Sequence, residues 1–163
     1  MKQVFIFCLL LCAASSLFAL DLSIGIGAEV NANTRSGAAA GGILSFGLEL
    51  NDLFSAGLVT AFSHNFDSVF TLEPRAFFRY YLPFKIDGLF AQAEFGTSIF
   101  IEEDSAYPAV SGGIAAGWRY LINQNFYIEP YLRAGYPFIW GAGLTGGIIL
   151  PLTKESANSG GRE

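Results

Sequence analysis

Residues 69–84 alternate between apolar and polar positions, and this stretch restricts the possible folds of the chain more than any other. Its even positions are apolar or aromatic throughout: Phe70, Leu72, Pro74, Ala76, Phe78, Tyr80, Leu82 and Phe84. The odd positions carry the charges of Glu73, Arg75 and Arg79. A period of two residues indicates a β-strand. No other segment of this sequence has a helical pattern, so no predicted helix is available to cover so long an apolar face. The pattern predicts a strand with lipid on one side and a polar lumen on the other.

Seven further segments show the same alternation, separated by turn-forming residues. The predicted strands are residues 21–33, 38–51, 54–66, 69–84, 89–101, 108–122, 126–138 and 142–152. Each has ten residues or more, and about 9 to 11 suffice for a tilted strand to cross a membrane. The number is even, as a closed single-chain barrel requires. We therefore predict an all-β fold, an eight-stranded antiparallel up-and-down transmembrane β-barrel.

The composition favours a membrane protein that does not cross with helices. Hydrophobic residues make up 52% of the chain and charged residues 14%, against about 25% charged in an ordinary soluble domain. Beyond the N-terminus no run approaches the ~18 consecutive apolar residues of a spanning helix. The 163 residues suit a single domain. A barrel is the remaining way to span a bilayer.

The first 19 residues have the features of a secretory signal peptide: Lys2, an apolar core and then small residues. We expect cleavage after Ala19, with Ser16 as the second choice. Cys8 and Cys12 both lie in the removed segment, so the mature chain would form no disulfide; the alternative makes Cys12 a lipidated residue. The predicted division is a signal peptide at 1–19, a barrel at 20–152 and a polar C-terminal tail at 153–163.

The charge balance argues against a nucleic-acid partner. Removal of Lys2 with the signal leaves eight basic and fourteen acidic side chains, a net charge of −6. Lys85 and Lys154 are then the only lysines, although water-facing surfaces use lysine freely. The remaining charges are therefore expected inside the barrel rather than on a soluble exterior.

Aromatic residues distinguish a membrane barrel from a soluble barrel with an apolar interior. The polar faces are largely Gly, Ser and Ala with isolated Glu and Arg, which suits a narrow interior filled by side chains. At one end of the apolar faces we predict membrane-interface aromatics at Phe54, Tyr80, Trp118, Tyr120 and Phe126, and at the other end at Phe138 and Trp140, near Phe66 and Phe70. Two aromatic belts are expected at two interfaces.

The predicted lumen contains five acids and four bases. The acids are Glu29, Glu49, Glu73, Glu94 and Glu129, and the bases are Arg75, Arg79, Arg119 and Arg133. In a narrow interior each charge needs a partner, and arginine can bind two carboxylates at once. One interpretation is a structural salt-bridge network that fills the barrel. The other is a polar path along which water or small ions pass.

A Glu-Pro pair occurs in two predicted strands, at Glu73 and Pro74 and again at Glu129 and Pro130. Proline cannot donate to the ladder, so each pair predicts a local break with the glutamate filling the space inside. The two pairs are expected at matching depth in the barrel.

His64 raises the question of an outer-leaflet lipid hydrolase, since Ser63, Ser68 and Glu73 lie near it in the chain. Alternation, however, puts Ser63 and His64 on opposite faces, so we predict no catalytic residues and no enzyme. One histidine and no mature cysteine predict no metal site. The glycine-rich segments at Gly25 and Gly112 open no helix and support no phosphate loop. No cofactor is expected.

The segment GWRYLINQNFYIEPYLRAGYPF, residues 117–138, resembles the penultimate hairpin of small bacterial outer-membrane β-barrels of the OmpA/OmpX/OmpW-like class. The last strand, with Thr145, Gly147, Leu150 and Leu152, is similar to the signal read by the barrel-assembly machinery. It departs from that signal in ending on leucine rather than an aromatic residue and in being followed by eleven residues.

The resemblance implies localisation in the outer membrane of a bacterium with two membranes. The implied partners are outer-membrane lipid and the barrel-assembly machinery during insertion, and the implied state is a monomer. Members of the class differ widely in activity. We expect a structural or surface-interaction role in the envelope; the alternatives are a narrow, porin-like channel for small solutes and, below it, a lipid hydrolase centred on His64.

Overall fold

The computed structural model describes residues 20–33, 37–65, 69–83, 88–103 and 105–152. Within them lie nine strand segments: β1 (Asp21–Asn33), β2 (Gly37–Glu49), β3 (Phe54–Asn65), β4 (Phe70–Tyr81), β5 (Leu89–Glu102), β6 (Ser105–Trp118), β7 (Tyr120–Leu121), β8 (Phe126–Tyr136) and β9 (Phe138–Pro151). The predicted signal peptide and the C-terminal tail from residue 153 lie outside these ranges. No helix in the described part of the chain is long and apolar enough to cross a membrane.

The strands form one closed antiparallel sheet. Sequential neighbours pair from β1 to β6, β9 pairs with both β1 and β8, and pairing of β6 with β8 closes the ring. β7 continues β6 beyond Arg119 and also pairs with β8, so the two segments together form one strand of the barrel. The predicted eight-stranded antiparallel barrel is confirmed.

The two ends of the barrel differ in their connections. At the end that we call the turn end, Leu152 donates a backbone hydrogen bond to Leu20, and short turns join β2 to β3 and β7 to β8. In both turns an asparagine side chain, Asn51 or Asn123, accepts backbone N–H groups two and three residues ahead, at 2.8–2.9 Å. These asparagine turns explain why the sequences NDLF and NQNF reverse the chain so tightly. The opposite end, where β1 joins β2, β3 joins β4, β5 joins β6 and β8 joins β9, is called the loop end.

Two-residue alternation separates an apolar outer wall from a filled interior. The outer wall exposes large side chains in the middle of its strands: Ile26, Leu58, Phe95, Ile114, Leu132 and Leu144 are each more than half exposed. The positions next to them point inward and are buried or half-buried. Because a strand turns successive side chains to opposite faces, the pattern read in residues 69–84 recurs around the wall.

Two strand starts were predicted too late. β6 begins at Ser105 rather than at residue 108, and Pro108 pairs with Ile99 of β5. Proline is tolerated there because β8 pairs with β6 only over Gly112–Gly117, beyond Pro108. β9 likewise begins at Phe138 rather than at residue 142. The described residues between the predicted strands, at 102–107 and 139–141, are therefore mostly strand.

Both Glu-Pro pairs interrupt the ladder without shifting its register. β4 and β5 lack pairs at Glu73 and Pro74, and β8 lacks pairs at Glu129 and Pro130 between its partners β6 and β7. The prediction that they lie at matching depth is wrong. β4 runs from the loop end to the turn end, and β8 runs in the opposite direction. Each Glu-Pro pair lies near the start of its strand, so the two pairs lie at opposite ends of the lumen.

Phe138 is not an interface aromatic. Its side chain is 1% exposed and its ring packs 6.5 Å from that of Phe100 inside the barrel. The register of β9 against β1 shifts here, with Ala32 opposite Trp140 and Asn33 opposite Phe138. Ile139 is the extra residue of this β-bulge, so the alternation that holds from Trp140 onward is reversed before it.

Candidate functional site

The nine charged side chains predicted for the lumen all lie inside the barrel. Eight of them are buried, from Glu73 at 1% to Arg119 at 8% exposed. Glu49 is intermediate, with its side chain 14% exposed. They divide into two clusters: the loop-end cluster contains Glu29, Glu73, Glu94, Arg75 and Arg133, and the turn-end cluster contains Glu49, Glu129, Arg79 and Arg119.

Arg133 organises the loop-end cluster. Its guanidinium donates to Glu73 at 2.9 and 3.1 Å and to Glu29 at 3.1 Å. Arg75 lies 3.0 Å from Glu94, yet its Nε and Nη1 have no hydrogen-bond partner among the described residues. The cluster thus holds three carboxylates and two guanidinium groups, and Arg133 supplies the well-directed contacts.

Glu129 organises the turn-end cluster. Its carboxylate accepts from Arg79 at 2.8 and 3.0 Å and from Arg119 at 2.6 Å. Arg119 also donates to Glu49 at 2.6 Å, and Tyr81 donates to the same carboxylate at 3.2 Å. Arg119 lies in the break between β6 and β7. Its backbone N–H donates a hydrogen bond to the carbonyl oxygen of Gly88, in the turn before β5. Two carboxylates balance two guanidinium groups here.

Gln92 joins the two clusters. Its Oε1 accepts from Nε of Arg79 at 2.8 Å, and its Nε2 donates to Glu94 at 2.7 Å. An amide can accept on one side and donate on the other, which neither a carboxylate nor a guanidinium can do. Alternation along the predicted strand at residues 89–101 puts Gln92 on the same face as Glu94, but the predicted network contains charged residues only and omits it.

Tyrosine side chains complete the interior and were also missed. The Tyr131 hydroxyl donates to Glu29 at 2.5 Å, and the ring of Tyr127 lies 4.3 Å from the guanidinium carbon of Arg119. Glycines on β9 make room for both rings, since a Cβ at Gly143 or Gly147 would come within 2.4 Å of the tyrosine opposite. The signal was available in the sequence, because both tyrosines share the face of Glu129 and Arg133.

Apolar side chains fill the rest of the lumen. Ile43, Val59 and Phe77 pack together, and the Phe90 ring lies 3.9 Å from the guanidinium carbon of Arg79. One cavity between the clusters has a volume of about 30 Å³. Since one water occupies at least ~10–15 Å³ on this measure, the cavity holds about two waters. In the described part of the lumen, charged, aromatic and aliphatic side chains pack around this cavity.

The described residues do not bring a hydrolase triad together. Ser63 is buried in the interior, whereas His64 is exposed on the outer wall opposite Phe70. The Glu73 carboxylate is bound by Arg133 and by the hydroxyl of Ser98 at 3.1 Å. Ser68 lies outside the described residues. Among the residues that are described, no group of three or more His, Cys, Asp or Glu side chains could hold a metal ion.

The other predicted interface aromatics lie on the outer wall. Near the turn end, the Phe54 ring lies 5.2 Å from that of Tyr80, and the Trp118 ring 5.8 Å from that of Tyr120. Phe126 starts β8 at the same end and is half exposed. Near the loop end, Trp140 is half exposed. Phe66 lies outside the described residues.

The fold, a closed eight-stranded antiparallel barrel, is that of the small outer-membrane β-barrels. Solved structures of that class are similar to it. Neisserial surface protein A (NspA) matches with a TM-score of 0.57 and 14% identity over 81% of this chain and 96% of its own. The N-terminal barrel of Pseudomonas aeruginosa OprF matches with a TM-score of 0.51 and 20% identity over 81% and 97%.

Ail, the attachment invasion locus protein of Yersinia pestis, matches with a TM-score of 0.53 and 15% identity over 81% of this chain and 99% of its own. No protein-family model and no curated protein sequence matches the chain. At these identities the likeness establishes the fold, and activity has to be argued from the site.

Proposed function

We propose that this protein is a resident, non-conducting β-barrel of the bacterial outer membrane with a structural or surface-interaction role. The main observation in support of this proposal is the packed interior. Nine charged side chains, Gln92 and the aromatic rings around them fill the lumen and leave a cavity for about two waters between the clusters. A barrel filled in this way is built to hold its shape.

Three observations support the membrane location. The outer wall is apolar in the middle of its strands, aromatic residues lie near both ends, and the similar structures include the outer membrane protein OprG of Pseudomonas aeruginosa. Outer-membrane lipid would then surround the wall, and the barrel-assembly machinery would insert the chain. We propose a monomer without cofactor or nucleic-acid partner.

The surface role is supported more weakly than the structural one. NspA is described as a surface protein and Ail as an attachment invasion protein. Here, however, the loop end offers little area: Asn65 bonds directly to Val69, and Glu102 pairs with Ser105. Short connections leave little surface for a high-affinity partner. A structural role in the envelope therefore fits this barrel better than adhesion.

A narrow channel is the second candidate, because the chain from Arg79 through Gln92 to Glu94 is a continuous polar connection between the clusters. Current through planar lipid bilayers separates the two. We expect no stepwise conductance from the natural chain. An Arg79→Ala/Phe90→Ala variant removes two stacked side chains from the lumen and serves as the matched positive control. Reproducible current steps from the natural chain would overturn the non-conducting barrel.

Membrane location is tested separately. The full chain, expressed in a diderm bacterium, should fractionate with the outer membrane and run at a different apparent mass on gels before and after boiling. A soluble protein whose migration does not change on boiling would contradict the outer-membrane location, whatever the conductance result.

A further inference from the structure

Each Glu-Pro pair interrupts the sheet on one side only. Pro74 pairs with Thr60 of β3, but the ladder between β4 and β5 omits it. Likewise Pro130 pairs with Leu144 of β9, but the ladders of β8 with β6 and β7 omit it. Proline has no N–H group to donate. The missing donor therefore explains a break on one side of the strand and an intact ladder on the other.

In both breaks the glutamate side chain bonds to the residue directly opposite it. The register on either side of the first break places Ser98 opposite Glu73, and the Ser98 hydroxyl donates to the Glu73 carboxylate at 3.1 Å. The register around the second break places Arg119 opposite Glu129, and Nε of Arg119 donates to the Glu129 carboxylate at 2.6 Å. A side-chain hydrogen bond thus crosses each gap in the backbone ladder. We call each of these two bonds a clasp.

The clasps lie inside the barrel, whereas the prolines face outward. The four clasp residues are at most 8% exposed, and Pro74 and Pro130 are exposed on the outer wall. A hydrogen bond in such a low-dielectric interior is electrostatically stronger than one in water, and an unpaired buried carboxylate oxygen is costly. A single clasp is therefore strong enough to take the place of the backbone bond that each proline cannot make.

The two clasps belong to different parts of the lumen. Glu73 is in the loop-end cluster and Glu129 is in the turn-end cluster. Gln92, which joins the clusters, bonds to Arg79 and Glu94 rather than to either clasp glutamate. Breaking one clasp therefore leaves the hydrogen bond of the other in place.

We propose that each Glu-Pro pair is a hinge in the barrel wall that its clasp holds shut. The proline interrupts the ladder, and the glutamate closes the interruption through the side chain opposite. When a clasp is lost, the two strands separate locally at that break, while the ladder on the other side of the proline stays paired. With one hinge near each end of the lumen, opening at one break leaves the other closed. The hinges concern the sheet alone, so the proposal stands whether or not the lumen conducts.

Hydrogen exchange of the full chain in lipid nanodiscs, resolved by residue with NMR, tests the first hinge. Ser98→Ala removes the donor of the clasp. Ser55→Ala is the matched control, because Ser55 is also fully buried but its hydroxyl has no hydrogen-bond partner among the described residues. Leu72 and Ile99 pair beside the break. We expect exchange of their amides to rise about ten-fold or more in Ser98→Ala and less than about two-fold in Ser55→Ala. Boiling-sensitive migration first shows that each variant folds.

Replacement of the proline separates a clasp from an ordinary buried hydrogen bond. Pro74→Val restores the N–H donor at an outward position, where valine suits a strand. In this background Ser98→Ala should change exchange at Leu72 and Ile99 less than about two-fold, because the backbone now closes the gap. An equal rise in both backgrounds, or no rise in the natural one, contradicts the clasp. A rise of the same size along the unbroken ladder of β1 and β2 shows a general loss of stability and contradicts the hinge.

The second hinge gives an independent measurement. Arg119→Lys keeps the charge but removes the Nε donor, and the reporters are the amides of Tyr120 and Ile128, which pair beside this break. Tyr81→Phe is the control, since it removes another hydrogen bond of the turn-end cluster without touching the clasp. We expect exchange at the reporters to rise about ten-fold or more in Arg119→Lys and less than about two-fold in Tyr81→Phe. Equal effects of the two variants, or a matching rise at the first break, contradict two separate hinges.

Discussion

Arg133 on β8 and Glu73 on β4 face each other across the barrel and form a bidentate ion pair, with Nη1–Oε2 at 2.9 Å and Nη2–Oε1 at 3.1 Å. Both side chains are nearly inaccessible to solvent. Two parallel hydrogen bonds of this kind fix the relative orientation of the guanidinium and the carboxylate in addition to pairing their charges. The pair ties together strands from opposite sides of the sheet that share no backbone hydrogen bonds, so the lumen network supports the barrel from within.

Replacement of Arg133 by methionine should destabilise the barrel more than the same change at Arg75. Loss of one partner of a buried ion pair costs about 3–5 kcal/mol. Both variants remove one positive charge from the same cluster, but Arg133 loses directed hydrogen bonds, whereas Nε and Nη1 of Arg75 have none. Urea unfolding in lipid vesicles, followed by the gel shift, measures both. Equal losses of unfolding free energy would mean that charge alone, rather than bond geometry, sets the stability.

Gln92→Met should uncouple the two charge clusters. The change keeps the volume but leaves Nε of Arg79 and an oxygen of Glu94 without the amide, at a cost of about 1–3 kcal/mol. Double-mutant cycles between Arg119→Met and Arg133→Met, run with and without Gln92, measure the coupling. We expect a coupling free energy of about 0.5 kcal/mol or more that falls toward zero in Gln92→Met. An unchanged coupling would show that Gln92 does not carry it.

Gly143→Ala should disturb the lumen, whereas Gly146→Ala on the same strand should not. A Cβ at Gly143 would lie 2.3 Å from the Tyr131 ring, whose hydroxyl is fixed by Glu29. At Gly146 the nearest atom given for a Cβ is 3.9 Å away, an ordinary contact. Overpacking costs typically about 1–3 kcal/mol. Unfolding free energies of the two variants, compared with the natural chain, check this; a neutral Gly143→Ala would mean that Tyr131 can move without loss.

Alternation predicted the faces of the strands well and their irregularities poorly. The inward positions of Glu29, Glu129 and Arg133 follow from the period of two residues, because any charge on the apolar face would lie in the outer wall. A bulge breaks that inference locally. Ile139 adds one residue to β9, so Phe138 turns inward although counting back from Trp140 places it outside. Only the pairing with β1 reveals this shift.

The partners inside the lumen could not be predicted in the same way. Alternation says that a side chain points inward, but its depth depends on register and strand direction. The two Glu-Pro pairs illustrate this: Glu73 and Glu129 have the same local sequence but belong to different clusters because β4 and β8 run in opposite directions. Neutral groups such as Gln92 and Tyr131 gain their importance only from the charges that they contact.

A charge placed on the outer wall should be costly in the middle of a strand and tolerated near its end. Leu58 and His64 both lie on the outer face of β3; Leu58 is 61% exposed near the middle, and His64 lies near the loop end. In a bilayer, arginine costs about 2–4 kcal/mol at the midplane and about 0–1 near the interface. Leu58→Arg should therefore lower the unfolding free energy in vesicles by that larger amount, while His64→Arg changes it little. The two variants add the same side chain to the same face, so their difference reports depth. If both were neutral, hydrocarbon would not surround this wall, and the proposed membrane location would fail.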